Sequence, residues 1–336
     1  MAAQQGETKQ IIVVIGGSIV GTSTAYYLSH HPLYDSKVHS VTVLEANNIA
    51  EGSSGKGGGQ ILKATDSPEL KGNGDAPSSL DWLLPGSTQQ YGEIGVPGNS
   101  GQVNPYMFTK TLAKLAESKG VMFKLKASAT KINLDEIGRL SNLSSSRMMK
   151  APIRLMQLTY SVIVKPTRPL SPYILFRNIQ PAPASPFDEL LSPDIYPRPA
   201  DHLYEFDTVY AIGLDDCETS LPSDTGDIEL VDQKCADILK AIGSVSQEIH
   251  DGALVKKQAC YKPQIRQHEE DEEVGPMVGP VGIHGLWLAT GHDEWGIQNG
   301  PGTGLVMSEM ILEGKAHSAD CSSLDPKHFL NTSTKL

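Results

Sequence analysis

The sequence contains no stretch dense in lysine or arginine, and its 39 acidic residues against 28 basic ones give a net charge of −11. Nucleic acids and anionic membrane surfaces attract positive patches, so we expect neither as a partner. No apolar run approaches membrane-spanning length, and the polar N-terminus does not resemble a signal peptide. These absences predict a soluble cytoplasmic protein. The final Thr334-Lys335-Leu336 differs by one residue from the Ser-Lys-Leu peroxisomal signal, which leaves the peroxisome as a minor alternative.

Cysteine is also scarce. The four cysteines lie at positions 217, 235, 260 and 321, without CxxC or metal-ligand spacing. We therefore expect reduced thiols and no metal site. A length of 336 residues, 39% of them hydrophobic, is enough for one large or two moderate globular domains.

The first informative motif is a β-branched apolar run at 11–15, which glycines follow. The run predicts a strand buried on both faces, the glycines a tight turn, and residues 22–28 a helix, as at the start of a nucleotide-binding βαβ unit. Gly16 would allow the turn and Gly21 the close packing of helix on strand, while Ser18 stands where such turns usually have glycine. We expect the turn to contact a pyrophosphate at the helix N-terminus through Gly16, Gly17, Ser18, Ile19, Val20 and Gly21.

Two further features follow this motif. Residues 41–45 predict a second parallel strand ending in Glu45, which follows Gly21 by 24 residues. This is close to the roughly 20 residues expected for an acid that binds an adenosine ribose; the alternative is a solvated acid at a strand end. The glycine-rich loop 51–59 comes next, and its alternative is a flexible linker. In the ligand-binding interpretation, the residues lying against a large ligand are Ser53, Ser54, Gly55, Lys56, Gly58 and Gly59.

The middle of the chain predicts a second domain. Asn104 and Pro105 predict the start of a helix, which ends at Gly120 before a strand at 121–126. Predicted strands at 160–164, 173–176 and 209–213, with a helix at 231–242, favour a mostly antiparallel unit. We therefore expect an α/β fold with two domains. The nucleotide domain comprises residues 8–64, 104–150 and 279–316, the second domain 65–103 and 151–278, and the tails 1–7 and 317–336.

The C-terminal segment repeats the order of the N-terminal motif. Residues 283–291 predict a strand, 296–304 a glycine-rich turn and 305–312 a helix that ends at Gly314. A helix N-terminus after such a turn places backbone NH groups where they can meet electron-rich ligand atoms. The alternative is a structural crossover of an α/β domain.

These motifs together resemble the D-amino-acid oxidase and glycine/sarcosine oxidase superfamily of FAD-dependent oxidoreductases (the DAO superfamily), and its fungal cytoplasmic branch in particular. The resemblance rests on the glycine turn, Glu45, the loop 53–59 and residues 289–304. The Ala-Thr-Gly-His and Trp-Gly-Ile-Gln-Asn-Gly-Pro sequences of the last segment are its most specific part. Residues 195–199 and 258–263 are similar to that branch too.

The resemblance implies a two-domain flavoprotein, with an FAD-binding Rossmann-like domain of the glutathione-reductase type and a mostly antiparallel α+β substrate domain. FAD would lie extended, with its adenosine at Gly16, Gly21 and Glu45, its middle along 54–59 and its ring between the domains. The residues beside the ring would be Gly291, His292, Gly296, Ile297, Gln298, Asn299 and Thr303. The implied reaction is hydride transfer to flavin N5 from the amine-bearing carbon of a small-molecule substrate, with oxygen as one candidate acceptor.

Four side chains are candidates for the catalytic face. Lys56 would place positive charge near the flavin, or only solubilise a loop. His292, Trp295 and Tyr261 would line the substrate side, or pack as ordinary core residues. Cys260 lies about one residue from the position at which related sarcosine oxidases attach flavin, and a one-residue shift on a strand reverses the face, so we expect noncovalent FAD.

The chain departs from the family pattern in three places. Ser18 replaces a glycine, residues 60–80 are shorter and more polar than the usual flavin-proximal segment, and no apolar strand ending in Ala-Gly lies between Ile137 and Tyr160. A lost strand would expose core and weaken the adenosine site. Two alternatives to the amine oxidoreductase therefore stay open: a weak or inactive relative with an interaction or trafficking role, and a flavin enzyme of a secondary-metabolite pathway.

Overall fold

The computed structural model describes residues 9–62, 70–72, 80–85, 87, 90–93, 100–129, 131–135, 140–144, 155–170, 176–177, 193–218, 228–266 and 273–330. Three predicted features lie wholly or mostly outside these residues. They are the tail 1–7, the strand at 173–176 and the terminal Thr334-Lys335-Leu336.

The described residues form helices and strands in both halves of the chain. The α-helices are α1 (Ile19–His30), α2 (Pro105–Ser118), α3 (Asp232–Gly243), α4 (Gln247–His250) and α5 (Gly296–Glu313). The strands are β1 (Gln10–Ile15), β2 (His39–Glu45), β3 (Gln60–Leu62), β4 (Leu70–Gly72), β5 (Gln90–Glu93), β6 (Ser100–Gln102), β7 (Met122–Leu125), β8 (Lys131–Leu134), β9 (Leu140–Ser144), β10 (Leu155–Lys165), β11 (Phe176–Arg177), β12 (Asp194–Arg198), β13 (Thr208–Glu218), β14 (Ala253–Arg266), β15 (Glu273–Val274), β16 (Met277–Pro280) and β17 (Trp287–Thr290).

A parallel sheet forms from the first two predicted strands and the strand after α2. Its order is β1-β2-β7. Ile12, Val41 and Val43 of this sheet are buried against Ala25 and Leu28 of α1. The predicted helix start is also present, because the Asn104 side chain caps α2 by accepting from Met107 N at 3.1 Å. The strand, turn, helix and strand order of a βαβ unit is therefore as predicted.

The outer face of this sheet is more exposed than predicted. Ile11 and Ile15 of β1 are 72% and 52% exposed, and Met122 of β7, on the same face, is 54% exposed. Among the described residues between 137 and 160, β9 pairs with β8 and β10 joins another sheet, so none adds a parallel strand here. The prediction that β1 is buried on both faces is wrong in this structure. The exposure agrees with the predicted loss of a strand.

An antiparallel sheet forms the second unit, in the order β15-β14-β10-β13-β12-β11-β5-β4. Its core packs under α3, where Cys235, Ile238 and Ile242 are buried together with Val162 and Trp82. The predicted strands at 160–164 and 209–213 are longer here, running over β10 and β13. A parallel unit and a mostly antiparallel unit are thus both present. The sequence boundaries of the two domains stay a prediction.

The C-terminal motif folds differently from the prediction. The strand covers only β17, and α5 begins at Gly296, so the predicted turn at 296–304 forms the first turns of the helix. The glycines here allow α5 to pack on α1. A Cβ at Gly304 would lie 2.5 Å from the carbonyl carbon of Ser23, and one at Gly300 would lie 2.9 Å from Cγ1 of Ile19. Glycines in this segment therefore allow α5 and α1 to pack closely against each other.

Within the described part of the chain, none of the helices combines the length and the apolar content that crossing a membrane requires.

Candidate functional site

A cavity lies where the parallel unit, the antiparallel sheet and the start of α5 meet. Its wall takes residues from the turn after β1, the loop after β2, strands β12, β13 and β14, and the segment from β17 into α5. The predicted site residues in this wall are Ser18, Ile19, Val20, Ser53, Ser54, Gly58, Gly59, Gly291, His292, Trp295, Gly296, Ile297 and Gln298. Three motifs that lie far apart in the sequence therefore share one cavity.

The turn after β1 requires glycine at two positions. Gly16 has a φ of +105°, a left-handed conformation that favours glycine. A Cβ at Gly21 would lie 1.9 Å from the carbonyl oxygen of Gly16, so any side chain there would push α1 away from the turn. Ser18 is the N-cap residue of α1, but its side chain makes no capping hydrogen bond. The turn therefore presents the N-terminus of α1 and the Ser18 residue to the cavity.

Glu45 lies against this turn. Its Oε2 accepts from Gly17 N at 2.6 Å and its Oε1 accepts from Asn47 N at 2.7 Å. Because each carboxylate oxygen has more than one lone pair, both can accept further hydrogen bonds. Glu45 thus holds the turn, and its role at a ribose stays a prediction.

The glycine-rich loop is fixed at both ends. Ser54 Oγ accepts from Ile19 N at 3.0 Å, which joins the loop to the N-terminus of α1. On its other side the loop is held by the antiparallel sheet, where Arg198 Nη2 donates to Gly57 O and Gly58 O, each at 2.7 Å. A flexible linker would make no such set of contacts. The structure therefore favours the interpretation of a fixed loop.

Lys56 also connects the glycine-rich loop to the antiparallel sheet. Its Nζ donates to Ala259 O at 3.0 Å, and Gln258 Nε2 donates to Lys56 O at 2.9 Å. Burial lowers the pKa of the Lys56 ammonium. The Lys56 side chain is thus bound to β14 and is not a solubilising surface group.

The segment between β17 and α5 contributes a buried histidine. His292 is 4% exposed, and its Nε2 lies 2.8 Å from Thr303 Oγ1. Burial lowers the pKa of His292 to about 4, so the imidazole is neutral at pH 7. Thr303 therefore supports the wall through His292, whereas Asn299 of the predicted set points to solvent as an exposed residue.

The other predicted catalytic side chains divide between wall and core. Trp295 lines the cavity and is 38% exposed. Tyr261 packs against the core of the antiparallel sheet, while Cys260 and Lys262, on the opposite face of β14, line the cavity. The packing alternative therefore describes Tyr261 better.

Sequence reasoning missed an ion pair in the cavity wall. Lys262 Nζ lies 3.0 Å from Glu294 Oε2, with side-chain exposures of 7% and 26%. Because alternate residues of a strand share a face, Lys262 could have been predicted to lie on the same face of β14 as Cys260. Asp293, next to this pair, has a φ of +45°, and its buried Oδ1 has no hydrogen-bond partner among the described residues.

Cys260 lines the cavity as a thiol, so the prediction that a one-residue shift turns it to the opposite face of the strand is wrong in this structure. Burial raises its pKa to about 11, so the nucleophilic thiolate is rare at pH 7. The pairing of Cys260 with Thr159 of β10 places it within the antiparallel sheet. These features disfavour Cys260 as a reactive group.

Comparisons with known proteins found relatives over most of the chain. The family model described as FAD dependent oxidoreductase (DAO) matches residues 12–90 and 73–310. "Putative oxidoreductase TDA3" of Saccharomyces cerevisiae is 25% identical over 307 residues, or 76% of this chain, and the chain spans 56% of that protein's length. C1F5.03c of Schizosaccharomyces pombe, which has the same description, is 25% identical over 95% of this chain and 98% of its own length.

A solved structure shows the same fold. Glycine oxidase from Geobacillus kaustophilus superposes with a TM-score of 0.70 at 15% identity, covering 97% of this chain and 100% of that protein. A superposition over nearly the whole of both chains shows that the fold is shared, including the parallel and the antiparallel units described above. The chain belongs to the family of FAD-dependent oxidoreductases known as DAO.

Proposed function

We propose that this protein binds FAD noncovalently in the cavity and oxidises an amine, an amino acid or a related small metabolite. The observation that carries the proposal is the convergence on one cavity of the α1 N-terminus, the fixed glycine loop and the start of α5. The same cavity is walled on its other side by the antiparallel sheet. This is the arrangement expected of a cofactor held by one unit and a substrate held by the other.

The residues present fit FAD. The left-handed conformation of Gly16 and the close packing that Gly21 allows shape the turn that presents the α1 N-terminus to the cavity, where NH groups favour a pyrophosphate. Two buried polar atoms of the wall, Gln60 Nε2 and Asp293 Oδ1, have no partner among the described residues. Such atoms are costly to bury unless a ligand or water satisfies them. The high pKa of Cys260 supports noncovalent attachment.

The charge of the wall favours an amine as the substrate class. Asp194, Asp293 and Glu294 line the cavity against one cation, Lys262, which is already paired with Glu294. A carboxylate-bearing substrate would have to displace Glu294 from Lys262. A cationic amine without a carboxylate meets no such competition, because the acidic side chains attract it.

The chain's own residues would bind and orient the substrate rather than exchange protons with it. Bound FAD would supply the chemistry by accepting two electrons, as hydride, from the amine-bearing carbon once the bound ammonium has lost a proton to water, and water would then hydrolyse the resulting iminium. His292 is neutral at pH 7 and bonded to Thr303, so it acts as a fixed hydrogen-bonding group of the wall. Trp295 and Ile297 supply apolar surface that limits the access of water.

The test uses matched pairs of compounds with FAD-loaded protein under anaerobic conditions. Each pair is an amine and the amino acid that differs from it only by a carboxylate on a carbon attached to the nitrogen, such as dimethylamine and sarcosine or benzylamine and phenylglycine. We expect amines to bleach the flavin absorbance faster than their amino acid partners. If the protein is an oxidase, admitting air to the reduced sample should produce hydrogen peroxide. Loaded protein that dithionite reduces but that no pair bleaches would contradict the proposal.

A second candidate is a binding protein of the same family without catalysis. The exposed apolar face of β1 and β7 favours it, because an unfinished parallel sheet would weaken the adenosine site. This candidate predicts little or no uptake of FAD by the purified chain, whereas the first predicts uptake.

A further inference from the structure

Arg198 holds a partly buried positive charge behind the wall of the cavity. Its guanidinium lies 4.4 Å above the ring of Tyr210, and its buried Nε has no hydrogen-bond partner among the described residues. Among the described residues no acid lies within ion-pair distance of it; the neighbouring Asp201 stabilises its charge at longer range and is itself engaged by Asn104 and by the backbone of Leu203. A cation withdrawn from water without a direct ion pair is costly, so a further electron-rich group would stabilise it.

The two hydrogen bonds of Arg198 determine how the glycine loop faces the cavity. In a planar trans peptide the C=O and the following N–H point in opposite directions. Arg198 draws the carbonyls of Gly57 and Gly58 toward the sheet, so the N–H groups of Gly58 and Gly59 point away from the sheet. Both residues line the cavity, and their N–H groups have no acceptor among the described residues. The loop therefore presents two donors, with a cation behind them.

We propose that Arg198 is a positioning residue of the cofactor site, which aims the Gly58 and Gly59 N–H groups at electron-rich atoms of bound FAD. Its charge is compensated by those atoms when the cofactor is present. This inference rests on the proposed binding of FAD in the cavity. It predicts that Arg198 contributes more to the stability of the FAD-loaded protein than to that of the protein without FAD.

The test compares the full-length protein with Arg198→Met, each stripped of flavin, by FAD titration and by thermal melting with and without FAD. Loss of hydrogen bonds to a charged donor predicts FAD binding weaker by roughly 10- to 100-fold. The melting temperature without FAD should stay close to that of the wild type, because an uncompensated charge is removed, while the rise on adding FAD becomes smaller. Arg198→Lys, which keeps the charge, should recover part of the affinity.

Arg168→Met is the matched control, because Arg168 lies in the same unit but pairs with Asp81 and Glu248 and does not line the cavity. It should bind FAD as the wild type does. If Arg198→Met does not fold, Arg198→Gln, which keeps a donor without the charge, should still lose at least about fivefold in affinity.

Wild-type FAD affinity in Arg198→Met or Arg198→Gln would overturn the inference while leaving the proposed function intact. An equal drop in melting temperature with and without FAD would also overturn it, by assigning Arg198 to the fold alone. Wild-type protein that takes up no FAD would instead contradict the proposed function, and the inference with it.

Discussion

The stability of the protein should decrease as the pH is lowered below about 6.5, and His292 should account for part of this decrease. A free histidine has a pKa of about 6.5. Burial lowers the pKa of His292 to about 4, since the 4%-exposed imidazole sits in the cavity wall with Thr303 as its hydrogen-bond partner. Between these two values the unfolded chain binds a proton that the folded chain does not. Stability is therefore fully present above about pH 6.5 and is lost as the pH falls toward about 4.

The size of this effect follows from the two pKa values. A difference of about 2.5 units at about 1.4 kcal/mol per unit is about 3.5 kcal/mol of the free energy of unfolding, of which about 3 kcal/mol is lost by pH 4. Other groups titrate in the same range, so the measurement has to isolate the histidine. His292→Gln removes the titrating group, and the wild type should lose about 3 kcal/mol relative to this variant between about pH 7 and pH 4.

Urea unfolding at a series of pH values measures this difference. His284→Gln, at an exposed position, serves as the control and should run parallel to the wild type. The reasoning about His292 would be refuted by curves for wild type and His292→Gln that stay parallel throughout the series.

Further predictions concern packing and charge. A Cβ at Gly304 would meet the backbone of Ser23 at 2.5 Å, so Gly304→Ala should lower the free energy of unfolding by about 1–3 kcal/mol, whereas Gly302→Ala, with nothing within 4 Å, should raise it by about 0.5–1 kcal/mol. Urea titration of both variants checks this, and equal effects would contradict the close contact of α5 with α1. Lys262→Met should leave kcat/KM for a reactive amine within about threefold, and it should cost about 1–3 kcal/mol of stability because the ion pair between Lys262 and Glu294 is lost. Steady-state kinetics would contradict the amine preference if the variant lost activity on amines and amino acids alike.

The local parts of the fold could be predicted because short-range rules determine them. Gly16 adopts its left-handed conformation and Gly21 lies against the turn for the steric reasons that the sequence pattern implies. Asn104 and Pro105 form the expected helix start. These features depend on residues within a few positions of one another.

What sequence reasoning missed depends on distant partners. The bond from Arg198 to Gly57 joins residues 141 positions apart, and no local pattern announces it. The glycines at 296–304 predicted a turn from their low helix propensity, but packing on α1 outweighed that propensity. The exposure of Ile11 likewise depends on which strands complete the sheet. Composition and spacing are silent on the first two, whereas the absence of an apolar strand between Ile137 and Tyr160 indicated the third.

The central claim, that the cavity binds FAD, is tested most directly by titrating flavin-stripped protein with FAD and following the flavin fluorescence. We predict saturable binding to the wild type and to Gly52→Ala, where a Cβ meets nothing within 4 Å. Gly21→Val should abolish binding, because even a Cβ there would lie 1.9 Å from the Gly16 carbonyl oxygen. A folded wild-type protein that leaves FAD fluorescence unchanged, or a Gly21→Val variant that binds as the wild type does, would contradict the account.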